Sequence, residues 1–462
     1  MFCKKSPHIR HAKIKNGFIL GNVTTNGGNI RPQKFIGERG KMEKKIKLGV
    51  FGAGRGGYLA AIAAKAGFEL VALCDVSELM CRHAVRKLGA DGAHIRCYSD
   101  YDKFLEHDFD AVLLANYATQ HAPAAIKALK AGKHVMSEVM AFFTMGEALE
   151  LAEAVEQSDR VYYFAENYPY SVRNLEMTRR FRSGEMGKFI YGEAEYVHPT
   201  DARERAELTS GPDHWRSWLP VTYYCTHSMG PVMRITGSRP VRVNGFVVPH
   251  DFDDPNNRGG TVKVDDTMSI LMCQMDNGAL VKIMPCAKLR DHGNRVRICG
   301  NRGCMEWTQA DDKLLRVRKM KYDRRPEEPE HIFYRPQFPA EFQDAGKTGH
   351  GGGDYFTSRC FAAAIRGEIP PDIDIYQAID MTSIGILGYK SALEHGTPQE
   401  VVDFRDKVAR EKFRNDNWNP DPARPCADKP FPSVLGKIKI PPEELEMFRK
   451  LRAEYEDSLV SD

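Results

Sequence analysis

Three short segments concentrate side chains that a packed apolar core does not require. The first is Tyr223-Tyr-Cys-Thr-His227-Ser-Met-Gly-Pro231. A helical pattern begins there, so His227 stands at a helix start, where the backbone dipole disfavours imidazolium and suits a neutral base. Tyr224 lies three residues earlier and can share its pocket; the alternative is a capping histidine over a buried tyrosine. The second segment is Glu166-Asn-Tyr-Pro-Tyr170, where Asn167 and Tyr170 offer polar groups to a cleft, unless Tyr-Pro-Tyr is only a rigid hinge. The third is Gly349-His350-Gly-Gly-Gly-Asp354. Consecutive glycines permit close backbone approach, and His350 and Asp354 can bracket a polyol; the alternative is a flexible loop. In either case Asp354 is expected to cap the helix starting at Tyr355. The histidines at 198, 214, 227, 250, 292 and 350 are scattered without ligand spacing, so no metal is expected. There is no G-x-S-x-G and no Walker loop, which leaves nothing for a serine hydrolase or a kinase.

These segments need a scaffold, and Lys45 to Asp75 names it. An apolar run ends in Gly52-Ala-Gly54-Arg55-Gly-Gly57, small helical residues follow, and a second apolar run closes on Asp75, 23 positions after Gly52. Strand, G-x-G-x-x-G, helix, strand and acid together form the dinucleotide fingerprint. Gly52 permits the tight turn, Gly54 lets backbone approach a pyrophosphate, and Gly57 is expected to seat the helix on the sheet. Asp75 can accept from ribose hydroxyls and repels a 2′-phosphate, which selects NAD. The alternative is a strand–helix turn without a ligand.

Strands at 95–98, 111–115, 134–137 and 161–165 alternate with helices at 78–88, 101–105, 123–130 and 145–157. Such alternation predicts a doubly wound parallel Rossmann sheet, with ligands beyond the carboxyl ends of its strands. Asn116 to His121 and Glu138-Val-Met140 therefore lie where a cofactor would. From about Ala165 the pattern changes to alternating strands at 189–197, 241–248, 267–275, 279–284, 295–299 and 304–307, with hairpin signals at Asp276-Asn-Gly278 and Gly300-Asn-Arg-Gly303. Helices are expected at 172–183, 229–236, 355–366 and 375–395. The whole is α/β, with a Rossmann domain (42–165) and an α+β domain carrying a mostly antiparallel open sheet (166–403). A charged tail (404–462) with a terminal helix at 443–456 follows.

The formal charge of +4 divides unevenly. Residues 1–41 hold nine Lys/Arg and one acid, leaving 57 basic and 61 acidic residues, a net of −4, in the rest. The basic excess belongs to an extension read as disordered, or as an upstream start before Met42, and gives no case for nucleic acid. No stretch approaches the ~18 consecutive apolar residues of a membrane span. The eleven cysteines form no C-x-x-C pair, and Cys74, Cys273 and Cys299 sit in apolar strand patterns; they read as reduced core residues of a cytoplasmic protein.

From Lys45 to His395 these features resemble the Gfo/Idh/MocA oxidoreductase family. In that family an E-K-P motif follows the fifth strand, and a catalytic His stands ten residues before a helix-ending Gly. Glu138-Val139-Met140 and His227, ten residues before Gly237, match those positions. Asp265-Asp-Thr267 and Asn277-Gly-Ala279 match its strand signals. Two departures stand out: Val139 replaces the lysine that assists deprotonation, and Gly230 replaces the acid three residues after the His. With His350-Gly-Gly, they resemble the NAD-dependent glycoside hydrolase branch that includes α-N-acetylgalactosaminidases. The resemblance implies hydride transfer between NAD and a hydroxyl-bearing ring carbon of a sugar or glycoside. In the hydrolase branch NAD⁺ oxidises a ring hydroxyl transiently, the aglycone is eliminated, water adds, and the hydride returns. It further implies His227 as base with Tyr224 and Tyr170 as partners. Gly52, Gly54, Arg55, Gly57, Asp75, Asn116, His121 and Glu138 would hold NAD, and Asn167 and His350 the carbohydrate. Relatives pack the open sheet face against another subunit, implying a homodimer or homotetramer. A non-catalytic NAD-binding regulator is the third reading. The sugar, its anomer and the net reaction are not legible.

Overall fold

The computed structural model describes residues 44–461 except 90–93, 286, 287, 290, 310 and 312; the basic extension 1–41 lies outside the described residues. Strands β1 (Ile46–Phe51), β2 (Phe68–Cys74), β3 (Arg96–Tyr98), β4 (Ala111–Leu114), β5 (His134–Ser137) and β6 (Tyr162–Phe164) form one sheet ordered β3-β2-β1-β4-β5-β6. Every pairing in it is parallel. All four residues of β4 are buried, as a strand covered on both faces requires. Helices α1 (Ala53–Lys65), α2 (Glu78–Lys87), α3 (Tyr101–Leu105), α4 (His121–Lys130) and α5 (Met145–Glu156) connect the strands.

Small residues bring α1 down onto the sheet, but not through the expected glycine. A Cβ at Gly56 would lie 2.5 Å from Val50 Cγ1, whereas one at Gly57 would meet Ala84 of α2 at 3.2 Å. Neighbouring helix positions differ by about 100° in direction, so only one of the two glycines can face the sheet. Gly56 seats the helix on β1, and Gly57 seats it on α2.

The second sheet has nine strands: β7 (Phe189–Glu195), β8 (Pro240–Val248), β9 (Met268–Met275), β10 (Leu280–Met284), β11 (Val296–Gly300), β12 (Gly303–Trp307), β13 (Leu315–Lys319), β14 (His331–Tyr334) and β15 (Gln399–Glu400). Its order is β14-β13-β12-β11-β7-β10-β9-β8-β15, antiparallel apart from β7–β10. Alternation in β11 turns Val296 and Ile298 inward and Arg297 and Cys299 outward, so Cys299 is not the core residue its apolar neighbours suggested. The outward face carries rows of paired charges, among them Arg295–Glu195 and Arg316–Glu306, and holds a trough of about 550 Å³ between them.

Helices α6 (Val172–Arg182), α7 (Ala202–Leu208), α8 (Trp215–Trp218), α9 (Thr226–Thr236), α10 (Gly353–Ile365), α11 (Ile375–Leu393), α12 (Lys407–Arg410) and α13 (Pro442–Ser461) complete the fold. A capping box of Asp374 and Gln377 starts α11, which is buried along most of its length and packs on β8 and α5, joining the two sheets. Gly245 and Gly388 allow that contact, since a Cβ at 245 would sit 2.0 Å from Gly388 O. Helix α10 returns to the parallel sheet, stacking Phe361 on Phe68 with centroids 5.6 Å apart.

Helix α13 clamps α7 to α2. Phe448 packs into a small separate core with Ala206 and Val262. Arg452 Nη1 donates to the carbonyls of Ala206 and Thr209 at 2.9 and 3.1 Å, and Arg86 of α2 donates to Leu459 O at 2.6 Å. Truncating Phe448 to Ala is expected to cost about 3 kcal/mol of this docking. Amide hydrogen exchange would show it as lost protection confined to 442–461, with the parallel sheet unchanged.

Candidate active site

The carboxyl ends of β1, β4, β5 and β6 place the glycine turn, Asn116, Glu138 and Glu166 along one edge of the parallel sheet. Gly52 has φ +99°, and a Cβ there would collide with Ala115 O at 2.3 Å, so the turn requires glycine. A Cβ at Gly54 would meet nothing nearer than Met80 Cε at 3.5 Å; the space over it is open, as a phosphate cradle needs. Asp75 Oδ2 accepts from Ala53 N–H at 2.7 Å and its Oδ1 from Ser77 N–H at 2.8 Å, which fixes the carboxylate beside the turn. Asn116 Oδ1 is buried without a partner. An orphaned acceptor beside an open glycine turn fits a bound dinucleotide.

His121 has a different task from the one inferred for it. It is 1% exposed, with Nδ1 2.8 Å from Met140 O and Nε2 3.3 Å from Asn116 O. Burial pushes its pKa down to about 4, so the ring is neutral, and its single N–H, on Nδ1 at the shorter contact, donates to Met140 O and ties α4 to the loop after β5. The Val139–Met140 peptide in the loop after β5 is cis.

The catalytic candidate is held from across the domain junction. His227 opens α9, which Gly237 ends in the left-handed conformation. Its Nδ1 lies 2.9 Å from both carboxylate oxygens of Glu166, which is fully buried. A carboxylate only accepts, so Nδ1 carries the proton and Nε2 is the basic atom of the ring. Gly230 makes this contact possible, because a Cβ there would come within 2.7 Å of Glu166 Cγ. Three tyrosine rings surround the imidazole: Tyr168 and Tyr196 at 4.7 Å and Tyr224 at 5.2 Å between centroids.

Tyr170 is not among them. It is fully buried, its hydroxyl donates to Asp372 Oδ2 at 2.9 Å, and it shares a 2.5 Å hydrogen bond with Tyr163. Arg234 covers its ring and pairs with the same Asp372 at 2.6 Å. Tyr170 therefore belongs to a structural network, and Tyr168, two residues earlier on the same turn, faces His227.

Asp354 does not cap α10; Gly352 is its N-cap and contributes no side chain. The Asp354 carboxylate instead accepts from Arg55 Nη2 at 2.8 Å, Asn167 Nδ2 at 2.8 Å and His350 Nδ1 at 3.0 Å. Burial alone would raise it, yet the His350 hydrogen bond and the Arg55 charge hold it below the ordinary carboxylate range. The glycines here approach the protein itself: a Cβ at 349 would strike Asp354 Oδ2 at 2.2 Å, and one at 353 would strike Asn167 O at 2.4 Å. His350, Gly351 and Gly352 are successively left-handed, and that path carries the His350 ring to within 5.5 Å of the Tyr168 ring. Arg55 also lies 3.4 Å from Glu138. The glycine turn, Glu138, Asn167, His350 and the tyrosines around His227 thus form one connected site. Glu166, Tyr168 and Tyr196 were not read as site residues; a carboxylate directly after a strand end was the available signal for Glu166.

Glu166→Gln keeps the shape but permits the other tautomer of His227, and turnover is expected to fall about 10²–10⁴-fold with folding intact. Circular dichroism and initial rates measure the two. His121 makes a pH prediction. Its folded pKa is lowered, so the unfolded chain binds the extra proton, and stability drops as pH falls from 6.5 through about 4. The contribution is at most about 3 kcal/mol. Urea midpoints across that window are expected to flatten in His121→Gln.

Residues 46–166 match the model of the oxidoreductase family with an NAD-binding Rossmann fold, and residues 170–410, more than half of the chain, match the C-terminal domain of glycosyl hydrolase 109. A glycosyl hydrolase family 109 protein of Saccharopolyspora erythraea is 28% identical, aligned over 84% of this chain and 91% of its own. One from Stenotrophomonas maltophilia is 24% identical over 85% and 96%. Among solved structures, levoglucosan dehydrogenase in complex with NADH and L-sorbose superposes with a TM-score of 0.62 at 17% identity, covering 78% of this chain and all of that one. The myo-inositol 2-dehydrogenase of Lactobacillus plantarum gives 0.56 at 15%, with the same coverage. These last two likenesses are of fold. With an NAD-binding Rossmann half of the Gfo/Idh/MocA type and this C-terminal half, the chain belongs to the glycosyl hydrolase 109 family.

Proposed function

We propose that the protein hydrolyses glycosides by NAD-dependent, transient oxidation of a ring hydroxyl. The observation that carries this reading is the buried Glu166–His227 pair, which presents a base at the junction where the cofactor edge meets the tyrosine-lined cleft. NAD, when bound, would supply a reversible two-electron hydride acceptor for the hydroxyl-bearing carbon. His227 Nε2 accepts the hydroxyl proton as that bond is oxidised, and Glu166 stabilises the imidazolium that forms. Position 139 brings no amine to this work, because Val139 is apolar and 7% exposed. Elimination moves one proton from the carbon beside the new carbonyl to the departing aglycone oxygen, and adding water returns one to that carbon; the Tyr224 and Tyr168 hydroxyls would bind sugar oxygens and relay these protons. Asn167 and His350, both held by Asp354, would contact the carbohydrate; Gly52, Gly54, Arg55, Asp75, Asn116 and Glu138 would hold NAD.

The substrate is a small carbohydrate glycoside. The nine described cysteines are free thiols, in keeping with a reducing, cytoplasmic setting. The outward face of the nine-stranded sheet, with Ile190 and Leu280 half-exposed, offers the surface on which a second copy would pack. Among the described residues no helix is long and apolar enough to cross a membrane.

A panel of nitrophenyl hexosides and amino-sugar glycosides, both anomers, tests the reaction while phenolate and NADH absorbance are followed together. Phenolate release without accumulating NADH is expected. One NADH per turnover would overturn hydrolysis and leave a sugar dehydrogenase. His227→Ala is expected to lose about 10²–10⁴ of turnover at unchanged NAD affinity. Unchanged turnover in that variant would point to a regulator instead.

A further inference from the structure

Outside the cleft, two thiols face each other on the outward side of the second sheet. Cys299 of β11 and Cys304 of β12 are direct cross-strand partners, with sulfurs 3.3 Å apart. Both are half-buried, unlike Cys74, Cys81, Cys225, Cys273 and Cys360, which are enclosed. Directly opposed antiparallel residues have Cα atoms about 4.5–5.5 Å apart, inside the range a disulfide spans without backbone movement. Cations flank the pair: Arg297 precedes Cys299 by one outward position, and Arg318 of β13 is the partner of Cys304 on its other side.

We propose that Cys299 and Cys304 form an oxidation site, a dithiol that a low-molecular-weight disulfide converts to an intrachain cross-strand disulfide. The Cys304 thiolate attacks one sulfur of the external disulfide, forming a mixed disulfide and releasing one thiolate. Cys299 then loses its proton and attacks the Cys304 sulfur, expelling the second thiolate. The protein loses two electrons and two protons, and the external disulfide gains them as two thiols. Cys304 is the attacking group because the S–H of Cys299 donates to it and the Arg297 guanidinium stands beside it. Against the opposing effect of burial, these bring its pKa down to about 6, while that of Cys299 rises.

The arrangement is directly testable. Arg302 lies between the two cysteines, so trypsin separates residues 298–302 from residues 303–313 unless a disulfide joins them. Because a second copy packed on this face would cover the pair, full-length protein diluted until light scattering shows single chains would be exposed to glutathione disulfide at neutral pH, quenched with acid and alkylated, then mapped by mass spectrometry. The joined peptides are expected to appear before the exposed Cys97 is modified, with two thiols lost per chain and full recovery on reduction. The variant Cys304→Ser is expected to form no joined peptide. Modification of Cys97 while 298–302 and 303–313 remain separate would overturn the proposal, as would equal reactivity of all thiols. Neither cysteine touches the cleft, so turnover of the reduced Cys304→Ser enzyme is expected to match the parent.

Discussion

One buried carboxylate holds the two halves of the site in register. Asp354 is 1% exposed and must have its charge met internally, since an isolated carboxylate away from water is untenable. Arg55, from the glycine turn, meets it on one side. Asn167, after the sixth parallel strand, and His350, on the glycine loop, meet it on the other. The cofactor edge and the carbohydrate edge are therefore positioned by a single charge. Each partner is in turn committed: Arg55 leans toward Glu138, and His350 packs against Tyr168, which packs against His227.

The chain's departures from its wider family become intelligible in space. An acid three residues after the base would occupy the position of Gly230. Here that position has no side chain, and Glu166 enters the vacated volume to bind His227 from the adjoining segment. The base thus has a carboxylate partner, supplied from another segment. The position of the replaced lysine brings no amine, since Val139 belongs to the apolar core. Proton traffic at the hydroxyl thus rests on an imidazole and on tyrosines.

Periodic features were legible in the residues because they repeat. The parallel strands, the hairpins at Asn277-Gly278 and Asn301-Arg302, and the helix Thr226–Thr236 ended by Gly237 each follow from spacing and turn chemistry. What escaped was direction. Tyr168 and Tyr170 flank one proline on one short turn, and sequence does not say which ring faces the cleft and which faces Asp372. Gly56 and Gly57 pose the same problem on α1. Asp354 looked like a cap because it precedes a helix, but its partners lie far away along the chain. Cys299 looked interior because its neighbours are apolar, though a strand alternates faces.

The reach of the Arg55–Asp354 contact carries a consequence for how the enzyme comes into being. Its two residues are 299 positions apart, and Tyr170 and Asp372 are 202 apart. Pairings of such long sequence separation form late, because closing a long loop costs entropy before any contact repays it. The parallel sheet can collapse early on its own apolar strands, but the reactive pocket waits for residues more than two-thirds of the way along the chain. Catalytic competence is thereby tied to completed tertiary structure, and a partly folded molecule has a nucleotide turn but no assembled chemistry.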